Sequence, residues 1–181
     1  MITNKLITFY FILLGGILIG GSPIRDAAEK YIISQFDANV SISMHSLKLD
    51  AKLKELVQNK VKQRFYRDEL YYWAISNNDT TIAYALMDNV IGKSMPITFV
   101  VIVNNEGNIE ATEVIKYREA YGSDVGNKNW LAQFTNSTNT SQFAVGKNID
   151  GISGATISVN SLSKGIQKIA VLFPLIEDKL N

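Results

Sequence analysis

Cysteine is absent from this sequence. That one absence removes disulfides, iron–sulfur clusters, c-type haem attachment and thiol nucleophiles together. Histidine occurs once, as His45, which excludes a histidine-rich metal site and any Ser–His catalytic arrangement that does not use it. The residues around it alternate, Val40, Ile42 and Met44 against Ser41, Ser43 and His45. This is the pattern of a strand with the histidine on its polar side, so a surface histidine is expected. No basic run stands out and the formal charge is only +1, which leaves nucleic acid without an electrostatic footprint. Internal repeats and low-complexity tracts are also missing.

Apolar residues make up 46% of the chain and charged residues 19%, enough to build a core and too little charge for general disorder. The longest uncharged apolar stretch, Leu6–Gly21, follows Lys5 directly. It is short for a spanning helix of about 20 residues and ample for a signal-peptide core of about 7–15. It lacks a polar face, and no clean A-x-A site follows it. Residues 1–23 are therefore expected to be a signal peptide or a retained membrane anchor, two readings that stay open. Either one places the rest of the chain outside the cytoplasm, in the periplasm or anchored to the inner membrane and facing it, with the positive end inside.

Residues 24–69 read as a helical N-terminal segment ahead of a main domain at 70–181. Pro23 suits a first helical turn, and Ile24, Ala28, Tyr31, Ile32 and Phe36 fall at helical spacing over Ile24–Phe36. Asp50 is placed to cap a second helix whose apolar stripe is Leu53, Leu56, Val57, Val61 and Phe65. From Leu70 the composition becomes aromatic and β-branched. Leu70–Ser76 and Thr81–Val90 read as strands around an Asn77-Asn78-Asp79 turn. Ile97–Val103 reads as a central strand, turned by Asn104–Asn108 into Ile109–Tyr117. A short helix at Trp130–Phe134, a polar loop at Asn136–Ser141 and a closing helix at Ser158–Phe173 complete the pattern. The fold class is α+β, an antiparallel sheet with helices packed on it, preceded by the hydrophobic N-terminal helix.

One segment carries chemistry: Asp150-Gly151-Ile152-Ser153-Gly154-Ala155-Thr156, followed by Ile157-Ser158 and a helix. Small residues before a helix N-terminus let a ligand approach the backbone, and the free N–H groups with the helix dipole favour an anion such as phosphate. Ser153, Thr156 and Ser158 add hydroxyls at the same place. A plainer reading also stands, in which Ser158 caps the last helix and Gly151 and Gly154 shape a turn. The segment lacks the Gly-Lys-Ser/Thr ending of a Walker loop and the spacing of a dinucleotide G-x-G-x-x-G.

The segment resembles the flavinylation motif of the FMN-binding domain family, which includes the G subunit of the Rnf complex and the C subunit of the sodium-translocating NADH:quinone reductase. The resemblance reaches upstream to about Tyr84. It takes in Gly92-Lys93, Pro96-Ile97-Thr98-Phe99, Tyr117–Val125 and Trp130–Phe134, which look like the smaller, stand-alone members. It implies that Thr156 is esterified to the phosphate of FMN by a separate, exported flavin transferase that uses FAD, with Asp150, Gly151, Ser153, Gly154 and Ala155 forming the recognised loop. In Rnf-type subunits an equivalent loop carries Glu-Thr-Pro-Gly beside the flavin ring. Here Glu119 and Gly122 keep the ends, and Ala120 and Tyr121 replace the middle pair.

On this resemblance Tyr117, Tyr121 and Trp130 are candidates to stack on the ring, each equally at home as ordinary core. Arg118 or Lys93 is a candidate to face the negative charge of reduced flavin, with a surface Arg118–Glu119 ion pair as the alternative. The expected role is extracytoplasmic electron transfer between membrane or periplasmic redox partners. A flavin-dependent reductase and a non-redox exported binding module are the competing readings.

Overall fold

The computed structural model describes residues 22–36 and 39–180. The signal or anchor expected at 1–23 lies outside the described residues apart from Ser22 and Pro23. Among the described residues no helix is long and apolar enough to cross a membrane.

The chain is α+β. Five strands form one antiparallel sheet in the order β1-β2-β3-β4-β5: β1 (Val40–Lys48), β2 (Glu69–Asn77), β3 (Thr80–Ile91), β4 (Pro96–Asn104) and β5 (Ile109–Lys116). Helix α1 (Pro23–Ser34) covers one face, and α2 (Ala51–Val61) and α4 (Thr156–Leu172) cover the other, with the short α3 (Lys128–Leu131) near β5. Asn78 and Asp79 both have positive φ, 47° and 63°. They make a two-residue turn of the primed kind, whose twist matches the strands it joins.

Alternation on the strands separates two cores. Leu86, Val90, Phe99 and Val101 point to the α4 side, whereas Trp73, Ala85, Val100 and Ile102 point to the α1 side. Strand β4 is buried on both faces from Ile97 to Val103, which is why its sequence is an unbroken apolar run rather than an alternating one. Leu162, Ile166 and Ile169 of α4 are fully buried, each contributing about 1.5–3 kcal/mol of apolar burial. Gly165 lets α4 sit close to the sheet. A Cβ there would lie 2.6 Å from Val90 Cγ1 and 3.0 Å from Phe99 Cζ.

Three expectations are corrected. The 24–69 segment is helical only in part, since the strand read around His45 is β1, which runs through it and pairs with β2 from Val40↔Asn77 to Lys48↔Glu69. The stripe of α2 is shorter than its spacing suggested. Asp50 caps the helix through Leu53 N, but Lys62 turns left-handed at φ 56°, so Phe65 lies beyond its end and Leu56 is 59% exposed. Helix α4 starts at Thr156, one half-turn before Ser158. His45 is exposed, stacked on Tyr72 with ring centroids 5.3 Å apart.

Candidate functional site

Helix α4 begins on a loop that supplies no cap. Its N-cap residue is Ala155, whose side chain has no acceptor, and Gly154 before it takes φ 77°. The first N–H groups of this 17-residue helix therefore open outward, with the positive end of the helix dipole behind them. Thr156 is the first helical residue and is exposed. Its carbonyl accepts from Asn160 Nδ2 at 2.8 Å, and its hydroxyl has no partner among the described residues.

A cavity of about 640 Å³ lies against this end of α4, within the range of about 300–1,000 Å³ typical of small-molecule pockets. Its walls come from three loops: Gly154–Ser158, the β3–β4 turn with Lys93 and Met95, and the segment after β5 with Arg118, Glu119 and Tyr121. Met95, Tyr121 and Ile157 border it with 44%, 86% and 52% of their surface exposed. The cavity thus joins a polar, anion-favouring end to an apolar rim that a flat aromatic group would cover.

Hydrogen bonds hold the loops in place. Glu119 Oε1 accepts from the amides of Ser94 at 2.8 Å and Met95 at 3.1 Å. Those backbone bonds hold its carboxyl below the usual glutamate value. Gly92 makes room for this clamp, because a Cβ there would meet Glu119 Oε1 at 2.5 Å. Tyr117 Oη donates its single hydrogen to the Tyr121 carbonyl, so the hydroxyl of Ser158, 3.1 Å away, must donate to Tyr117. Gly122 takes φ 84°, and a Cβ on it would press on Tyr117 Oη at 2.8 Å.

The structure distributes the sequence candidates unevenly. Thr156, Gly154, Ala155, Ser158, Glu119 and Tyr121 line the cavity together with Lys93 and Arg118. Ser158 is buried and its hydroxyl is committed to Tyr117, so it does not cap α4. Gly122 sits behind the wall. Asp150, Gly151 and Ser153 do not line the cavity: Asp150 borders a separate one with Trp130 and Gln133, its amide donating to Gln133 Oε1 and its carbonyl accepting from Trp130 Nε1, both at 2.8 Å.

Trp130 is 7% exposed and packs edge-on against Phe134, which makes it core rather than a stacking platform in this cavity. The alternative Arg118–Glu119 ion pair does not form either. Arg118 Nη1 donates to the Pro96 carbonyl at 2.9 Å and Thr98 Oγ1 at 3.0 Å instead. Met95 and Ile157 went unnoticed in the sequence because single exposed apolar residues carry no periodic signal. The buried Lys168–Asp88 ion pair beneath α4 at 2.7 Å was missed for the converse reason, a charge at a position where the helical stripe reads as core.

The arrangement sets an uncapped helix terminus and an apolar-rimmed cavity beside the exposed Thr156 hydroxyl. Residues 92–171 match the FMN-binding domain family. The match starts at the β3–β4 turn and covers β4, β5, the loops that wall the cavity and nearly all of α4, so this part of the chain is a member of that family and the protein is a flavin-binding protein. No curated protein sequence matches the chain.

Proposed function

We propose that the protein is an extracytoplasmic electron-transfer flavoprotein that carries FMN covalently on Thr156. The observation that carries this reading is the exposed, unpartnered Thr156 hydroxyl at the uncapped start of α4, on the wall of the 640 Å³ cavity. The residues fit the group. Backbone N–H groups of Thr156, Ile157 and Ser158 would hold the phosphate, and Met95, Tyr121 and Ile157 offer apolar surface for the ring. Lys93 and Arg118 bring positive charge to the same cavity.

Attachment balances as a phosphoryl transfer. Thr156 Oγ forms the new O–P bond, the pyrophosphate of FAD breaks with AMP leaving, and the hydroxyl proton goes to solvent. A flavin transferase outside the cytoplasm is the required partner. When bound, FMN supplies one- and two-electron redox chemistry, while the chain's own task is to retain and orient it. A covalent bond prevents loss by dilution after export, consistent with the Leu6–Gly21 stretch behind Lys5. An electron carrier is favoured over a reductase because Glu119, among the described residues the only carboxylate lining the cavity, is tied to two backbone amides rather than free to move protons.

The test is the intact mass of the full chain, co-expressed with a flavin transferase and exported. A gain of FMN minus one water is expected, and the Thr156→Ala variant should lack it. An unmodified mass for the parent chain, with the transferase active on a known acceptor, overturns covalent attachment and leaves non-covalent flavin binding.

A further inference from the structure

A second cavity, of about 340 Å³, lies on the α1 face of the sheet, near the N-terminus of α1. Its charged lining is cationic: Arg25, Arg67 and Arg118 all border it, and among the described residues no carboxylate does. Arg25 is offset by Glu29, 2.7 Å from its Nε. Arg67 and Arg118 have no carboxylate partner among the described residues. The hydrogen bonds of Arg118 go to neutral acceptors, the carbonyls of Pro96 and Lys116 and the hydroxyl of Thr98.

That arrangement is built rather than incidental. Thr98 is 3% exposed, and its hydroxyl hydrogen points to Asn89 Oδ1 at 2.7 Å. Its oxygen is thereby turned to accept from Arg118. A guanidinium fixed by neutral acceptors keeps its full charge and its remaining donors, a preorganised receptor for an oxyanion. Met44 and Met87 supply polarizable apolar wall beside the cations.

We infer that this cavity is a binding site for a phosphate ester, an oxyanion joined to a less polar body. The charge calls for the anion. The volume exceeds what a bare oxyanion needs, and the thioether wall accounts for the remainder. The two sources of this chemistry are the headgroup of an anionic phospholipid and a soluble phosphate ester. The cavity's rim holds Ser22 and Ile24, immediately after the uncharged Leu6–Gly21 stretch, which is where a headgroup would lie if that stretch enters a bilayer. The site does not depend on flavin at Thr156.

The experiment uses the full chain in a non-ionic detergent, titrated calorimetrically with dihexanoyl phosphatidylglycerol, with its zwitterionic phosphatidylcholine counterpart, and with glycerol 3-phosphate. The expected result is saturable one-to-one binding of an anionic probe, weakened about tenfold by Arg67→Ala. Arg67 is exposed and makes no hydrogen bond among the described residues, so this variant should fold. The control Lys52→Gln, an exposed cation outside the cavity, should bind as the parent does. Tighter binding of phosphatidylglycerol than of glycerol 3-phosphate identifies the lipid source, and comparable binding of both identifies the soluble ester. Three results overturn the site: no binding of either anionic probe, equal binding of phosphatidylcholine, or equal losses in Arg67→Ala and Lys52→Gln. None of these depends on the mass measurement at Thr156.

Discussion

The two faces of the sheet repeat one device with different chemistry. On each face a helix starts without a side-chain cap, at Ala155 for α4 and at Ser22 for α1, and a cavity opens nearby. Arg118, just beyond β5, borders both cavities. On the α4 face the helix is long, its inner side is almost wholly buried, and a hydroxyl stands at its first residue. On the α1 face only Ala28 and Ile32 of the helix are buried, and three arginines border the cavity. The site proposed for covalent loading lies on the face with the deeper core, a scaffold that holds a site's geometry more firmly. The shallower face is free to respond to what lies outside the protein.

The comparison can be broken most forcefully beneath α4. Lys168 is fully buried, with Asp88 Oδ2 2.7 Å from its ammonium, the Arg64 carbonyl accepting at 2.8 Å, and the Phe65 ring 4.4 Å away. Lys168→Met strands the Asp88 carboxylate and should cost about 3–5 kcal/mol in denaturant unfolding. Adding Asp88→Asn should recover part of the loss. A single-variant loss under about 1 kcal/mol would mean that the α4 face does not rest on this pair.

A smaller effect is expected on the other face. Ile32→Ala should cost about 2 kcal/mol, the low end for buried aliphatic truncation, because α1 can yield locally. Hydrogen exchange should quicken in α1 and leave α4 protected. Equal acceleration in both helices would show that the two faces unfold as one unit.

The smallest effect concerns the clamp on the cavity beside Thr156. The amides of Ser94 and Met95 hold Glu119 below the ordinary glutamate value of 4.5. A folded value below the unfolded one means that the clamp contributes above pH 4.5 and is lost as pH falls through the lower folded value. An NMR titration of the Ser94 and Met95 amides should therefore show a midpoint below 4.5. A midpoint at or above it would mean that these amides do not hold the ionised carboxylate. Glu119→Gln should remove the transition.

The elements were largely legible because each obeys a local rule. Thr80–Ile91 and Pro96–Asn104 announce themselves by β-branched and aromatic runs, and the Asn78-Asp79 turn by two residues that tolerate positive φ. Boundaries were less legible where the backbone departs from periodicity. Nothing in the spacing of Val61 and Phe65 reveals that Lys62 turns left-handed between them. Ser158 looked like a cap by residue type, yet the chain enters α4 at Thr156 and Ser158 turns inward to Tyr117.

By itself the sequence determined the α+β class, the exclusion of thiol chemistry and of a histidine-rich metal site that follows from no cysteine and one histidine, and the small-residue loop ending at Thr156. Those follow from composition and short-range pattern, which act over a few residues. Only the tertiary structure decided that Asp150 and Thr156 border different cavities. It also decided that Trp130 is core, that Glu119 grips a turn rather than Arg118, and that Arg118 stands between two cavities. These partners lie far apart in the chain, as Glu119 does from Ser94 and Lys168 from Arg64. The packing of strands and helices, not any local propensity, sets which of them meet.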